Sequence, residues 1–218
     1  MQLEHWTSPV GTVRILTVLD RREARTYATA TRIGLPRPAA RSRSFGSTPM
    51  PDGTSRPWPA ERVRWRRAVG RASAGASLVI VADVADCYPS IREPALRMAV
   101  RRAGGRADQL ELALRDLWSA GVRGLPIGPG ASSYLADQVL AIADDRAAAA
   151  GVQPIRWVDD VVFAGGRDEV HRAARAWSQT LAELGLREND AKRRCFFAPS
   201  TMPRGITGSH FPRRNLEP

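Results

Sequence analysis

Two short apolar runs in this chain each break at an acid, and that pattern limits the possible folds more than any other feature. Ser77-Leu78-Val79-Ile80-Val81-Ala82 reads as a buried strand, because aliphatic and β-branched residues fill it, and it ends on Asp83. Further on, Ile155-Arg156-Trp157-Val158 and Val161-Val162-Phe163-Ala164 flank Asp159-Asp160, the pattern of a β-hairpin with both acids in its turn. A carboxylate beside apolar strands is unfavourable unless something compensates it. If the hairpin lies alongside the first strand, three carboxylates converge. Their repulsion is usually resolved by a hard divalent cation with oxygen ligands, Mg²⁺ or alternatively Mn²⁺. Two such ions about 3.5–4 Å apart suit in-line phosphoryl transfer. An Asp-Asp pair is also common in plain turns, where its side chains bond the local backbone.

The rest of the chain alternates strand and helix signals. Val13 to Leu19 alternates like a strand and is followed by a helix-friendly segment opened by Asp20 as cap. Residues 36–59 are rich in Pro, Gly, Ser and Arg and read as a long irregular connection. Residues 60–74 return to helical spacing, with Val63, Trp65 and Val69 interrupting Arg62, Arg64, Arg66, Arg67 and Arg71. One face of that helix is expected to be basic and to bind nucleic acid. Further helices are expected over 92–104, 107–119, 131–150 and 167–184, the last stopped by Gly185, with a short strand over 193–197.

At 218 residues and 43% apolar composition, the chain suits a single compact unit. No run of eighteen apolar residues occurs and the N-terminus has no export pattern, so a cytoplasmic protein without a membrane partner is expected. Cys87 and Cys195 have no companions at metal-ligand spacing, which argues for reduced thiols rather than a zinc site. The net charge of +11 points to a polyanionic partner, although Arg-rich composition by itself also raises it. Lys192 is the only lysine. Unlike arginine, a lysine can release its proton near neutral pH where its surroundings lower its pKa, as a general acid must; chance survival of one lysine is the plain alternative.

Four segments, in order, resemble the catalytic motifs of reverse transcriptases. Val81-Ala82-Asp83-Val84-Ala85-Asp86-Cys87-Tyr88-Pro89-Ser90-Ile91 is similar to the first, and Gly124-Leu125-Pro126-Ile127-Gly128-Pro129-Gly130-Ala131-Ser132 with Leu135-Ala136-Asp137 to the second, a Gly-rich loop opening a helix. Arg156-Trp157-Val158-Asp159-Asp160 resembles the third, and Leu184-Gly185-Leu186-Arg187-Glu188-Asn189-Asp190-Ala191-Lys192 the fourth. The resemblance covers residues 78–197, and the segment from Val13 to Tyr27 extends it.

It implies an α+β right-hand polymerase palm, an antiparallel sheet with helices on one face, over residues 77–200. A fingers-like region would occupy 1–76, and a short tail without a full thumb 201–218. It also implies two metal ions bound by Asp83, the Val84 carbonyl, Asp159 and Asp160. Tyr88 would be the gate against a ribose 2′-hydroxyl, or else ordinary packing. Asp86, Pro126 and Gly128 would lie along the incoming deoxynucleoside triphosphate, with Arg14 on its phosphates; turn, loop and solvated-strand roles are the plain alternatives. Lys192 would protonate pyrophosphate. Ile127 and Trp157 depart from the usual Gln and Tyr, and the Pro-Ile-Gly-Pro loop looks closer to bacterial branches associated with phage defence. The expected partners are an RNA template, a DNA product, and a protein or second copy in place of the thumb. A palm-derived RNA-binding subunit of a ribonucleoprotein is the main alternative, and another two-metal enzyme such as a nuclease the weaker one.

Overall fold

The computed structural model describes residues 1–7, 13–35, 44–46 and 57–197. The tail over 201–218, with the expectation about a thumb, lies outside the described residues, as does most of the connection over 36–59.

The described chain is α+β. A two-stranded ribbon, β1 (Gln2–Thr7) and β2 (Val13–Val18), leads into helix α1 (Arg21–Gly34). Asp20 caps α1: its Oδ1 accepts the N–H groups of Arg22 and Glu23, and the Glu23 carboxylate accepts the N–H of Asp20, satisfying orphan donors of the first turn. Next come β3 (Ser44–Phe45), α2 (Trp58–Ser73), β4 (Leu78–Asp83) and the short helices α3 (Cys87–Ser90), α4 (Glu93–Arg102) and α5 (Ala107–Ser119). The chain continues through α6 (Gly130–Ala149), β5 (Ile155–Trp157), β6 (Asp160–Gly165), α7 (Arg167–Glu183) and β7 (Arg194–Phe197).

Five strands form one sheet in the order β3-β5-β6-β4-β7. Two features differ from an antiparallel sheet covered on one face. β3 pairs parallel to β5, so the sheet is mixed, and α2 packs on the face opposite the other helices. The period of two explains how both faces are covered. Leu78, Ile80 and Ala82 of β4 and Val161 and Phe163 of β6 join the large core built with α4, α5, α6 and α7. Val79, Ile155, Trp157 and Val162 point the other way, where Trp65 and Val69 of α2 meet them. A two-residue strand such as β3 has no periodicity to read; only its pairing with Arg156 and Trp157 defines it.

Helix α6 is buried over most of its length, with Leu135, Ala136, Val139, Leu140, Ala143 and Ala147 in the core and the polar Gln138 and Asp144 buried among them. Its alanines allow close approach by α4 and α7. No helix among the described residues is long and apolar enough to cross a membrane.

Candidate metal centre

The antiparallel register of β4 and β6 sets Asp83 directly opposite Asp160. Asp83 lies two residues beyond Val81, and Asp160 two before Val162, so both acids leave the sheet on the α2 face. Asp159 stands immediately before Asp160, in the hairpin turn. One carboxylate oxygen from each of the three residues lies within 4.8 Å of the others. Only Asp159 belongs to the turn proper; Asp160 is already the first residue of β6 and pairs with Trp157.

The turn is unusual because Val158 adopts φ +55°, a left-handed conformation rare for a β-branched side chain. Three hydrogen bonds hold it. Arg156 Nη1 donates to the Val158 carbonyl at 2.8 Å, the Val158 N–H donates to the Phe45 carbonyl at 3.3 Å, and the Val84 N–H donates to the Asp159 carbonyl at 3.2 Å. The strained turn is thus held by partners from β3, β5 and the residue that follows β4, with the Asp159 carboxylate in the cluster beside Asp83.

Burial pushes the Asp159 carboxyl up, and the neighbouring charge of Asp83 adds to that. Asp160 is pushed up to about 9, first by burial and then by Asp159 and Asp83. Nearby positive charge would favour the ionised form of both acids, and three oxygen donors in a tight cluster are the donor set a hard divalent cation takes. Asp83, Asp159 and Asp160 therefore fit Mg²⁺ or Mn²⁺.

Within the protein, Lys192 brings positive charge directly onto Asp83. Its Nζ donates to Asp83 Oδ2 at 2.7 Å, while Asn189 Nδ2 donates to Asp83 Oδ1 at 3.0 Å and the Asn189 N–H to the Asp83 carbonyl at 2.8 Å. Burial alone would lower the Lys192 pKa, but the hydrogen bond to Asp83 and the charges of all three aspartates outweigh it and raise it. This is opposite to the direction that ready proton release needs. A general-acid role would require the Lys192–Asp83 contact to weaken first, which positive charge bound at the carboxylates would favour.

Beneath the hairpin, Arg156 is fully buried and ties the turn to α6. Its Nε donates to Asp144 Oδ2 at 2.8 Å and its Nη2 to Asp137 Oδ1 at 2.7 Å, while Trp177 Nε1 donates to Asp144 Oδ1 at 3.2 Å. Asp137 and Asp144 stand two helical turns apart and so share one face of α6. Burial opposes the charge on Arg156, and the two carboxylates more than offset it.

No family model matches the sequence, and no curated protein matches it.

The remaining expected site residues are distributed as follows. Arg14, on β2, is close enough for its charge to favour ionised Asp159. Val84 is buried beside the cluster through its bond to Asp159. Tyr88 is half-buried with its hydroxyl 3.0 Å from Ser133 Oγ, and Asp86 is exposed at φ +44°, outside the carboxylate cluster. Pro126 is buried and Gly128 exposed in the loop before α6. That loop supports the ribbon carrying Arg14, since the Thr17 N–H donates to the Ile127 carbonyl at 2.8 Å. Arg62 stands over the Trp157 ring with Asp160 in electrostatic reach, and Arg64 pairs with the buried Glu61. Arg66, Arg67 and Arg71 are exposed on α2.

Sequence reasoning did not single out Asn189, Arg156, Asp137 or Asp144, although a lone arginine inside a buried strand is a signal that carboxylates must wait across the core.

The Gly-rich loop has one position that tolerates no side chain. Gly124 sits at φ +62°, and a Cβ there would lie 2.4 Å from the Tyr88 carbonyl oxygen, which already accepts the Leu125 N–H. Gly124→Ala is expected to destabilise the chain by more than about 1 kcal/mol, read as a lower urea midpoint.

Proposed function

We propose that this chain is a reverse-transcriptase-like nucleotidyltransferase that extends a 3′-hydroxyl with deoxynucleotides, most naturally on an RNA template and in a setting such as antiviral defence. The observation that carries the reading is the register pairing of Asp83 with Asp160, which brings acids from two distant parts of the chain, Asp83 and the Asp159-Asp160 pair, within 4.8 Å of one another at the end of the sheet's α2 face. Divalent ions bound there would stabilise the attacking hydroxyl and the departing pyrophosphate. Asp83, Asp159 and Asp160 supply the oxygens; Asn189 fixes the Asp83 rotamer; Arg14 on the ribbon is placed to meet phosphate charge. Tyr88, held through Ser133, would limit the room at the sugar. In this reading residues 1–76 act as fingers and 77–200 as palm, and a protein partner, a second copy or a bound RNA grips the product.

A second reading, an RNA-binding subunit of a ribonucleoprotein, is favoured by one observation: Lys192 already neutralises Asp83 from within. The two part in a single assay, in which pure chain is incubated with Mg²⁺ or Mn²⁺, labelled deoxynucleotides, and primed RNA or no template. Incorporation that disappears in Asp159→Asn is the expected result. Absent incorporation with tight, salt-sensitive RNA binding selects the second reading, and cleavage of the nucleic acid selects a nuclease.

A further inference from the structure

The start of α2 carries an aromatic and basic stripe that the carboxylate chemistry does not use. Trp58, Arg62 and Arg66 follow one another at intervals of four along the helix, so they line one side of it, each step rising about 6 Å. Trp58 remains 44% exposed although it is a large apolar side chain. It stands edge-to-face on Trp157, with ring centroids 5.1 Å apart and an interplanar angle of 89°. Trp157 is only 3% exposed and also packs against Trp65, with ring centroids 5.9 Å apart. The Arg62 guanidinium lies 5.4 Å from the Trp157 centroid. An indole backed by a fixed second indole is a rigid platform, and it loses little entropy when a flat ring stacks on it.

Its position gives that platform meaning. Trp157 is the cross-strand partner of Asp160, so the aromatic floor and the carboxylate cluster are neighbours on one face of the sheet. The charge on the helix selects the occupant. Arg62, Arg64, Arg66, Arg67 and Arg71 are opposed within α2 by Glu61 alone, and Glu61 is buried and paired with Arg64. A basic track interleaved with exposed aromatic surface is how unpaired strands are held: the cations follow the phosphates and the ring stacks on a base. A paired base offers no free face. α2 itself covers the sheet surface over Val79 and Val162, which leaves the exposed Trp58 at its start as the accessible aromatic surface of this stripe.

We propose that Trp58, backed by Trp157 and flanked by Arg62 and Arg66, is the stacking seat for an unpaired base of a single-stranded nucleic acid held beside the carboxylate cluster. The seat names the nucleic-acid class for the transferase and rests on that reading for its purpose, while its binding needs no catalysis.

The test is therefore run in EDTA. Fluorescence anisotropy follows the full chain binding a labelled oligothymidine of about sixteen nucleotides, with oligouridine and a hairpin duplex as competitors. Single strands should bind at least about tenfold more tightly than duplex, and Trp58→Ala should weaken that binding about tenfold while Trp58→Phe largely retains it. Stronger competition by oligouridine assigns the seat to an RNA strand and weaker competition to DNA, and either supports a single-stranded occupant. Photocrosslinking of an iodouracil-substituted strand to the unaltered chain, followed by peptide mapping, should mark Trp58, a readout that needs no variant. Equal binding by Trp58→Ala, equal binding of duplex, or crosslinks confined elsewhere overturns the seat. A chain inactive in transfer that still binds through Trp58 keeps the seat and discards the transferase; an active chain indifferent to Trp58 does the reverse.

Discussion

Asp160→Asn should make the metal-free protein more stable while removing its response to divalent ions. Asp160 shares a small volume with Asp83 and Asp159, and burial with their charges pushes its carboxyl up to about 9. An acid whose folded-state pKa lies above its unfolded one binds a proton in the fold that the unfolded chain releases, so stability is fully present below about pH 4 and declines as pH rises toward 9. An amide of the same shape removes that loss. One unit of such a shift is worth about 1.4 kcal/mol, so a gain of at least that size is expected at pH 8, about 3–6 °C in melting temperature, with a flatter pH profile. Mn²⁺ or Mg²⁺ should raise the melting temperature of the unaltered chain, more at pH 8 than at pH 5.5, because the ligands must be deprotonated. The variant should lose most of that shift. If the proposed transferase reading holds, nucleotide incorporation should fall about a thousandfold, equivalent to several kcal/mol of lost transition-state stabilisation. A variant that is no more stable at pH 8, or that keeps the full ion-dependent shift, would show that the three acids do not form one site.

The second large effect is expected at Arg156. Its guanidinium is 1% exposed and is the bridge from Asp137 and Asp144 on α6 to the carbonyl of the strained Val158. Arg156→Met leaves Asp144 buried against Trp177 without its cation, a loss of about 3–5 kcal/mol, or upwards of about 6 °C in melting temperature. Adding Asp144→Leu should recover much of the stability, since a matched apolar pair in place of a buried ion pair is often neutral or better. Under the proposed transferase reading, incorporation should not recover with it, because the Val158 carbonyl has lost the donor that holds the turn beside Asp159. Urea unfolding of the two single variants and the double variant measures the coupling. Additive losses would rule out the bridge as the element joining turn and helix.

Much of the architecture is visible along the chain. The apolar run before Asp83, the alternation around Asp159-Asp160, the cap at Asp20 and the stop at Gly185 are local signals, and each element forms close to where they place it. The three acids stand out because acids are rare beside such strands. Elements whose identity depends on a distant partner are different. β1 and β3 exist through pairing with β2 and β5, and no periodicity within them announces it.

Local signals therefore define most of the elements and the residue types at their ends, because helix and strand periods and turn chemistry act over a few neighbours. Tertiary structure alone decided that Asp83 faces Asp160, that α2 closes the second face of the sheet, that Lys192 seats on Asp83, and that Arg156 finds two carboxylates across the core. The physical reason is that register and burial are properties of pairs far apart in the chain: a slip of one residue in β6 would turn Asp160 into the helical core and leave every local signal unchanged.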